Sequence, residues 1–204
     1  MRSAHQRNSD HIQVVRAHVV SMKSDAVLRE IEELSKRTFL PIIGPIKGKH
    51  LVDTVRRFNV KNVLEVGTLI GYSAMLIALN LPQEGRVVTI EMNPKSARLA
   101  EENIRKAGLA DKIEVHIGNA LTVIPAMNDS FDMVFLDATK NEYLEYLKLS
   151  ENKLKRGGVV FADNVKMFAH VMRDYLDYVR NSGGYKSKYI DVGFDGVEIS
   201  TKQF

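Results

Sequence analysis

From residue 61 onward, the apolar positions of this 204-residue chain form short continuous runs instead of strict alternation. The runs lie at 61–66 (KNVLEV), 86–91 (RVVTIE), 112–117 (KIEVHI), 132–137 (DMVFLD) and 158–163 (GVVFAD). Short runs rich in Val, Ile and Leu predict strands covered on both faces. Between them, 71–80, 94–107, 120–127 and 140–154 read as helices. Gly67, Gly85, Gly108, Gly118, Gly157 and Gly158 fall where the two patterns exchange. Strand and helix alternating in this way predict an α/β chain with a Rossmann-like, doubly wound, mostly parallel sheet and helices on both faces.

The two ends follow other rhythms. Ala26, Leu28, Ile31 and Leu34 predict a helix over 25–38, whereas the valines of 11–23 show no firm period. Pro41, Gly44 and Pro45 separate it from a second predicted helix over 46–58. Near the C-terminus, a helix over about 165–181 stops at Ser182-Gly183-Gly184. Two strand-like runs, 185–192 and 197–202, then flank Gly193-Phe194-Asp195-Gly196 and read as an antiparallel hairpin. The expected organisation is one domain over 1–204, a helical cap (1–60) on a Rossmann-like core (61–204).

Composition narrows the chemistry. The chain has no cysteine, which excludes disulfides, thiolate metal sites and a cysteine nucleophile. No apolar run approaches the roughly 18–20 residues that span a bilayer, and MRSAHQRNSDH has no apolar signal core, so a cytoplasmic protein without a membrane partner is expected. The net charge of +4 and pI near 9.2 are compatible with anionic partners, including RNA. The basic residues are dispersed, however, with only short clusters at 47–49, 153–156 and 186–188.

Polar residues concentrate at the predicted strand ends. One run ends in Asp137, with Lys140 three residues on; another ends in Asp163-Asn164. On neighbouring parallel strands these would gather two carboxylates, an amide and an amine around one crevice. Such oxygen ligands suit a hard cation, Mg2+ or alternatively Mn2+ or Ca2+, and a lysine beside one can serve as a base. The first strand runs into Glu65-Val66-Gly67-Thr68-Leu69-Ile70-Gly71-Tyr72-Ser73. Leu69 stands where the dehydrogenase fingerprint GxGxxG has its second glycine, which argues for a ligand lacking a pyrophosphate. Glu91 ends the second strand, placed to accept bonds from ribose hydroxyls, and Gly118-Asn119-Ala120 ends the third, where an adenine edge would lie.

These segments resemble the cation-dependent O-methyltransferases, the group of catechol and caffeoyl-coenzyme A methyltransferases. The matching segments are IKGKHLVD (46–53), VLEVGTLIGYSA (63–74), VVTIEMN (87–93), AGL (107–109), GNAL (118–121), FLDATKNEY (135–143) and GGVVFADN (157–164). The resemblance implies S-adenosylmethionine across the strand ends. Glu65, Gly67, Thr68 and Ser73 would hold its amino acid portion and nearby backbone, Glu91 would take the ribose and Ala120 would sit by the adenine, with Gly71, Met92, Gly118 and Asn119 also among the cofactor-binding residues. It implies a metal on Asp137, Asp163 and Asn164, with Asp137 shared with the cofactor side. Lys140 would be the base, assisted by Asp137, and Tyr143 would be structural or close to substrate. A homodimer is also implied.

Two departures bear on the acceptor. Thr139 stands where the family has an acid, and VKMFAHV (165–171) lacks the family's aromatic-and-glycine pattern. The expected reaction is Mg2+-dependent O-methylation of a catechol-like small molecule. The alternatives are a tRNA hydroxyuridine O-methyltransferase and a non-catalytic S-adenosylmethionine-binding module. For the tRNA reading, the discriminating feature is a gathering of Arg16, Lys47, Lys49 and Lys166 around the crevice.

Overall fold

The computed structural model describes the backbone of residues 4–204 and the side chains from Val19 onward. Seven strands form one sheet in the order β3-β2-β1-β4-β5-β7-β6. They are β1 (Asn62–Val66), β2 (Arg86–Glu91), β3 (Ile113–Ile117), β4 (Phe131–Leu136), β5 (Leu154–Ala162), β6 (Tyr185–Asp191) and β7 (Gly196–Lys202). The first five pair in parallel, whereas β7 lies antiparallel between β5 and β6.

Adjacent residues of each central strand serve opposite cores. Val63, Val87, Met133 and Val159 face α1 (Ala4–Arg37), α2 (Gly44–Arg57), α3 (Tyr72–Ala78) and α4 (Pro94–Ala107). Their neighbours Leu64, Val88, Val134 and Val160 face α5 (Ala120–Ala126), α6 (Tyr143–Ser150) and α7 (Arg173–Asn181). Two covered faces require apolar side chains at both parities, which is why the strands read as continuous runs. In α1, Val27, Leu28 and Ile31 enter the first core. Ser24 donates to the carbonyl of Ala107 at the end of α4, 3.0 Å away.

Three element boundaries differ from expectation. The first helix is continuous over Ala4–Arg37 instead of starting at 25. The predicted helix over 140–154 is a 3-10 turn (Lys140–Glu142) followed by α6, which stops at Ser150. There the Ser150 hydroxyl bonds back to the carbonyls of Tyr146 and Leu147, and strand pairing resumes at Leu154 opposite Phe131. The Gly157-Gly158 pair, which reads as a break, lies within β5 where the β4–β5 register shifts. The third correction concerns 165–181, of which only Arg173–Asn181 is helical. Over 165–172 two backbone donors turn to the hairpin, Val165 N–H to the carbonyl of Gly196 and Met167 N–H to the Asp195 carboxylate, while Phe168, Val171 and Met172 close local turns on Asn164 and Phe168.

Candidate active site

Strand order reverses between β1 and β4, so the connections after these strands diverge and leave a crevice at their carboxyl ends. The two chains approach closely there. A Cβ on Gly67 would lie 2.2 Å from the carbonyl oxygen of Asp137, and Gly67 has φ of +102°, so only glycine fits. The crevice opens into a cavity of about 940 Å3. Gly67, Thr68, Ser73, Glu91, Met92, Gly118, Asn119, Ala120, Asp137, Lys140, Asp163 and Asn164 all line it. Gly71 and Glu65 are not on its wall; Gly71 caps α3 in the left-handed conformation.

Glu65 is fully buried one layer behind the wall. The hydroxyls of Ser73 and Thr89 donate to its two oxygens, each at 2.5 Å, and Thr68 pairs with Thr89. Burial pushes its carboxyl up to about 7, with the two hydroxyls offsetting part of that rise. Glu91 accepts from the backbone N–H of Leu69 and of Asn93, both at 2.8 Å, one on each oxygen. The first of these bonds holds Leu69 at φ of +50°, an uncommon conformation for a branched residue. Asn119 accepts from the Leu121 N–H as the cap of α5, setting the turn beside Ala120.

The polar half of the cavity is formed by the ends of β4 and β5. Lys140 Nζ donates to Asp137 Oδ1 at 2.8 Å and to the Tyr143 hydroxyl at 2.9 Å. Burial, together with the charges of Asp137 and Asp163, holds the Tyr143 phenol well above its usual value, so it stays a neutral partner. Asp163 is nearly fully buried, and its carboxyl is raised by burial and then by the Asp137 charge. Lys47 works against this by donating to Asp163 Oδ2 at 2.7 Å. Asn164 adopts φ of +63° in the turn after β5 and donates its amide to Asp195 at 2.7 Å. Thr139, at the place of the family acid, also lines the cavity.

Sequence reasoning missed Asp195 here, and it missed that Lys47 is paired with carboxylates. Asp195 reads as a hairpin turn residue, but it is fully buried and bonds Lys47 at 3.0 Å. Lys47 reads as part of a surface basic cluster, yet it is buried between Asp163 and Asp195. The signals that pointed to it were the matching segment 46–53 and its place among the basic residues named for a tRNA-binding crevice. Of the other basic residues named for an RNA-binding rim, Lys166 pairs with Asp191, and Lys49 is not on the cavity wall. The side chain of Arg16 lies outside the described residues.

A family model described as O-methyltransferase matches residues 18–182. Catechol O-methyltransferase B of Danio rerio is 38% identical over 186 residues, covering 87% of this chain and 70% of the relative. An O-methyltransferase from Bacillus cereus, solved with S-adenosylhomocysteine, superposes with a TM-score of 0.79 at 28% identity, covering 91% of this chain and 97% of that one. The O-methyltransferase TomG of Streptomyces achromogenes, involved in tomaymycin synthesis and solved with S-adenosylmethionine, gives a TM-score of 0.79 at 28% identity, covering 87% and 90%. A continuous family match over most of the chain agrees with the sheet order and with the cavity at its switch point. The chain belongs to the O-methyltransferase family.

Proposed function

We propose that the protein transfers a methyl group from S-adenosylmethionine to a hydroxyl of a catechol-like small molecule, with a divalent cation. The observation that carries this reading is the shared cavity. Asp137, Lys140, Asp163 and Asn164 line the same space as Gly67, Thr68, Glu91 and Ala120. On the cofactor side, each Glu91 oxygen has one backbone donor, which leaves lone pairs for two vicinal ribose hydroxyls. The left-handed Gly67 backbone and the hydroxyls of Thr68 and Ser73 would border the amino acid portion. Glu65 supports that wall from behind.

The donor set fits a hard cation. Among the described residues no cluster of three His, Cys, Asp or Glu side chains is spaced for a metal, so the set here is two carboxylates plus an amide oxygen. The Asp137 charge raises the Asp163 carboxyl, so a cation held by these two side chains would be favoured. Asn164 donates its NH2 to Asp195, and among the described residues its Oδ1 accepts no side-chain hydrogen bond. When bound, such a cation would supply Lewis acidity to an acceptor oxygen. Lys140 Nζ, in its neutral form, would be the group that accepts the acceptor hydroxyl's proton. Asp137 and Tyr143 hold that amine in place.

The rim favours a small aromatic acceptor over tRNA. Phe39, Ile46, Met167 and Phe194 come from four separate segments, and all are exposed at the cavity lining. Lys47 and Lys166, by contrast, are already paired with carboxylates. The test is methyl transfer to catechol with Mg2+ and with excess EDTA. Activity that EDTA abolishes and Mg2+ restores is expected; full activity in EDTA would sink the metal reading.

A further inference from the structure

Asp195 is a fully buried carboxylate that bonds residues of the cavity wall and has no place in the transfer just described. It sits in the turn between β6 and β7, is fully buried, and spends both oxygens on neighbours. Its Oδ2 accepts from Asn164 Nδ2 at 2.7 Å and from Lys47 Nζ at 3.0 Å, while Oδ1 accepts from the Met167 N–H at 3.2 Å. Lys47 continues the network to Asp163 Oδ2, and Asp163 Oδ1 accepts the Asn164 N–H at 2.7 Å. The hairpin, the start of α2 and the end of β5 are thereby joined around two of the three oxygen-bearing side chains.

The chemistry of the contact sets an orientation. An amide can present either its NH2 or its oxygen to a neighbour, but a carboxylate accepts only, so Asn164 must turn its NH2 to Asp195. Its oxygen is then directed away from that carboxylate. A neutral or apolar residue at 195 would leave the two amide orientations close in energy. Burial makes the arrangement firm, since an unpaired carboxylate there would be costly. Lys47 is the counter-charge that lets Asp195 lie beside Asp163.

We propose that Asp195, neutralised by Lys47, is a positioning residue that presents Asn164 as an oxygen donor to the cation. The proposal rests on the metal reading above. Outer partners of metal ligands orient them, and losing one costs about 10- to 100-fold in metal affinity. The test is an electron paramagnetic resonance titration with Mn2+, in the presence of S-adenosylhomocysteine, of the wild type, Asp195→Ala and Asp195→Asn. S-adenosylhomocysteine affinity and thermal unfolding are measured alongside as readouts of the fold.

Asp195→Ala is expected to weaken Mn2+ binding about 10- to 100-fold while S-adenosylhomocysteine affinity is retained. Asp195→Asn falls between the two, because its amide oxygen still accepts the Asn164 bond but no longer neutralises Lys47. Wild-type Mn2+ affinity in Asp195→Ala overturns the positioning role. If that variant does not fold, wild-type affinity in Asp195→Asn overturns it instead. A wild type that binds no Mn2+ overturns the metal reading itself, and this proposal with it.

Discussion

Lys140 and Glu65 are ionisable groups in contrasting places, one on the cavity wall and one buried behind it. Lys140 touches Asp137 and Tyr143 at the wall, within reach of an acceptor. Lys140→Ala should lower kcat by about 10²- to 10⁴-fold, the range for a lost general base, while S-adenosylhomocysteine binding by calorimetry stays unchanged. Loss of both together would instead place Lys140 in cofactor binding. Glu65 is buried behind the wall, and its carboxyl is raised from 4.5 to about 7. A carboxylate whose folded value is raised binds more protons folded than unfolded, so stability falls as pH rises through that interval. The full cost, on the order of 3 kcal/mol, is present above the folded value and absent below the unfolded one. Glu65→Gln should therefore gain thermal stability relative to wild type on going from about pH 5 to about pH 8. A difference in Tm that is flat across that range would show that burial does not govern this group.

At the scale of elements, the junction of β1 and β4 positions both halves of the site. Gly67 N–H bonds to Ile90 and Asp137 N–H to Val66, so the three strand ends are locked in register. Gly67→Ala would drive a methyl group into the Asp137 carbonyl, with a destabilisation of about 2 kcal/mol or more and weakened S-adenosylhomocysteine affinity. Calorimetry and urea unfolding check this; a variant with wild-type values would show that the junction has slack. The strands and this junction were legible because both faces of the sheet are apolar and the turn needs glycine. Helix ends were less legible, since tertiary bonds decided them. Val165, Phe168 and Met172 carry a helical spacing, yet the hairpin takes the donors of Val165 and Met167. That Asp137 and Asp163 share one cavity could be read from the strand ends. The pairing of Lys47 with Asp195 could not, because it joins residues 148 positions apart.

Across the whole molecule, the first four helices cover one face of the sheet and the last three the other, leaving the carboxyl edge for the cavity. The α1–α2 connection brings Phe39 and Ile42 to that edge, and the β6–β7 hairpin brings Phe194. Tyr72 at the start of α3 donates to Glu32 of α1 at 2.5 Å, tying the first helix to the cofactor side. Among the described residues, no helix is long and apolar enough to cross a membrane. The proposed function would place the acceptor in an apolar mouth above a polar floor, a division that suits an aromatic ring bearing two adjacent hydroxyls. The most direct measurement incubates the protein with methyl-labelled S-adenosylmethionine and Mg2+, separately with catechol and with a tRNA pool, each with an EDTA control. Label transferred to catechol, lost with EDTA and absent from tRNA, is the predicted result; label in tRNA alone, or transfer to catechol that persists without metal, would contradict the account.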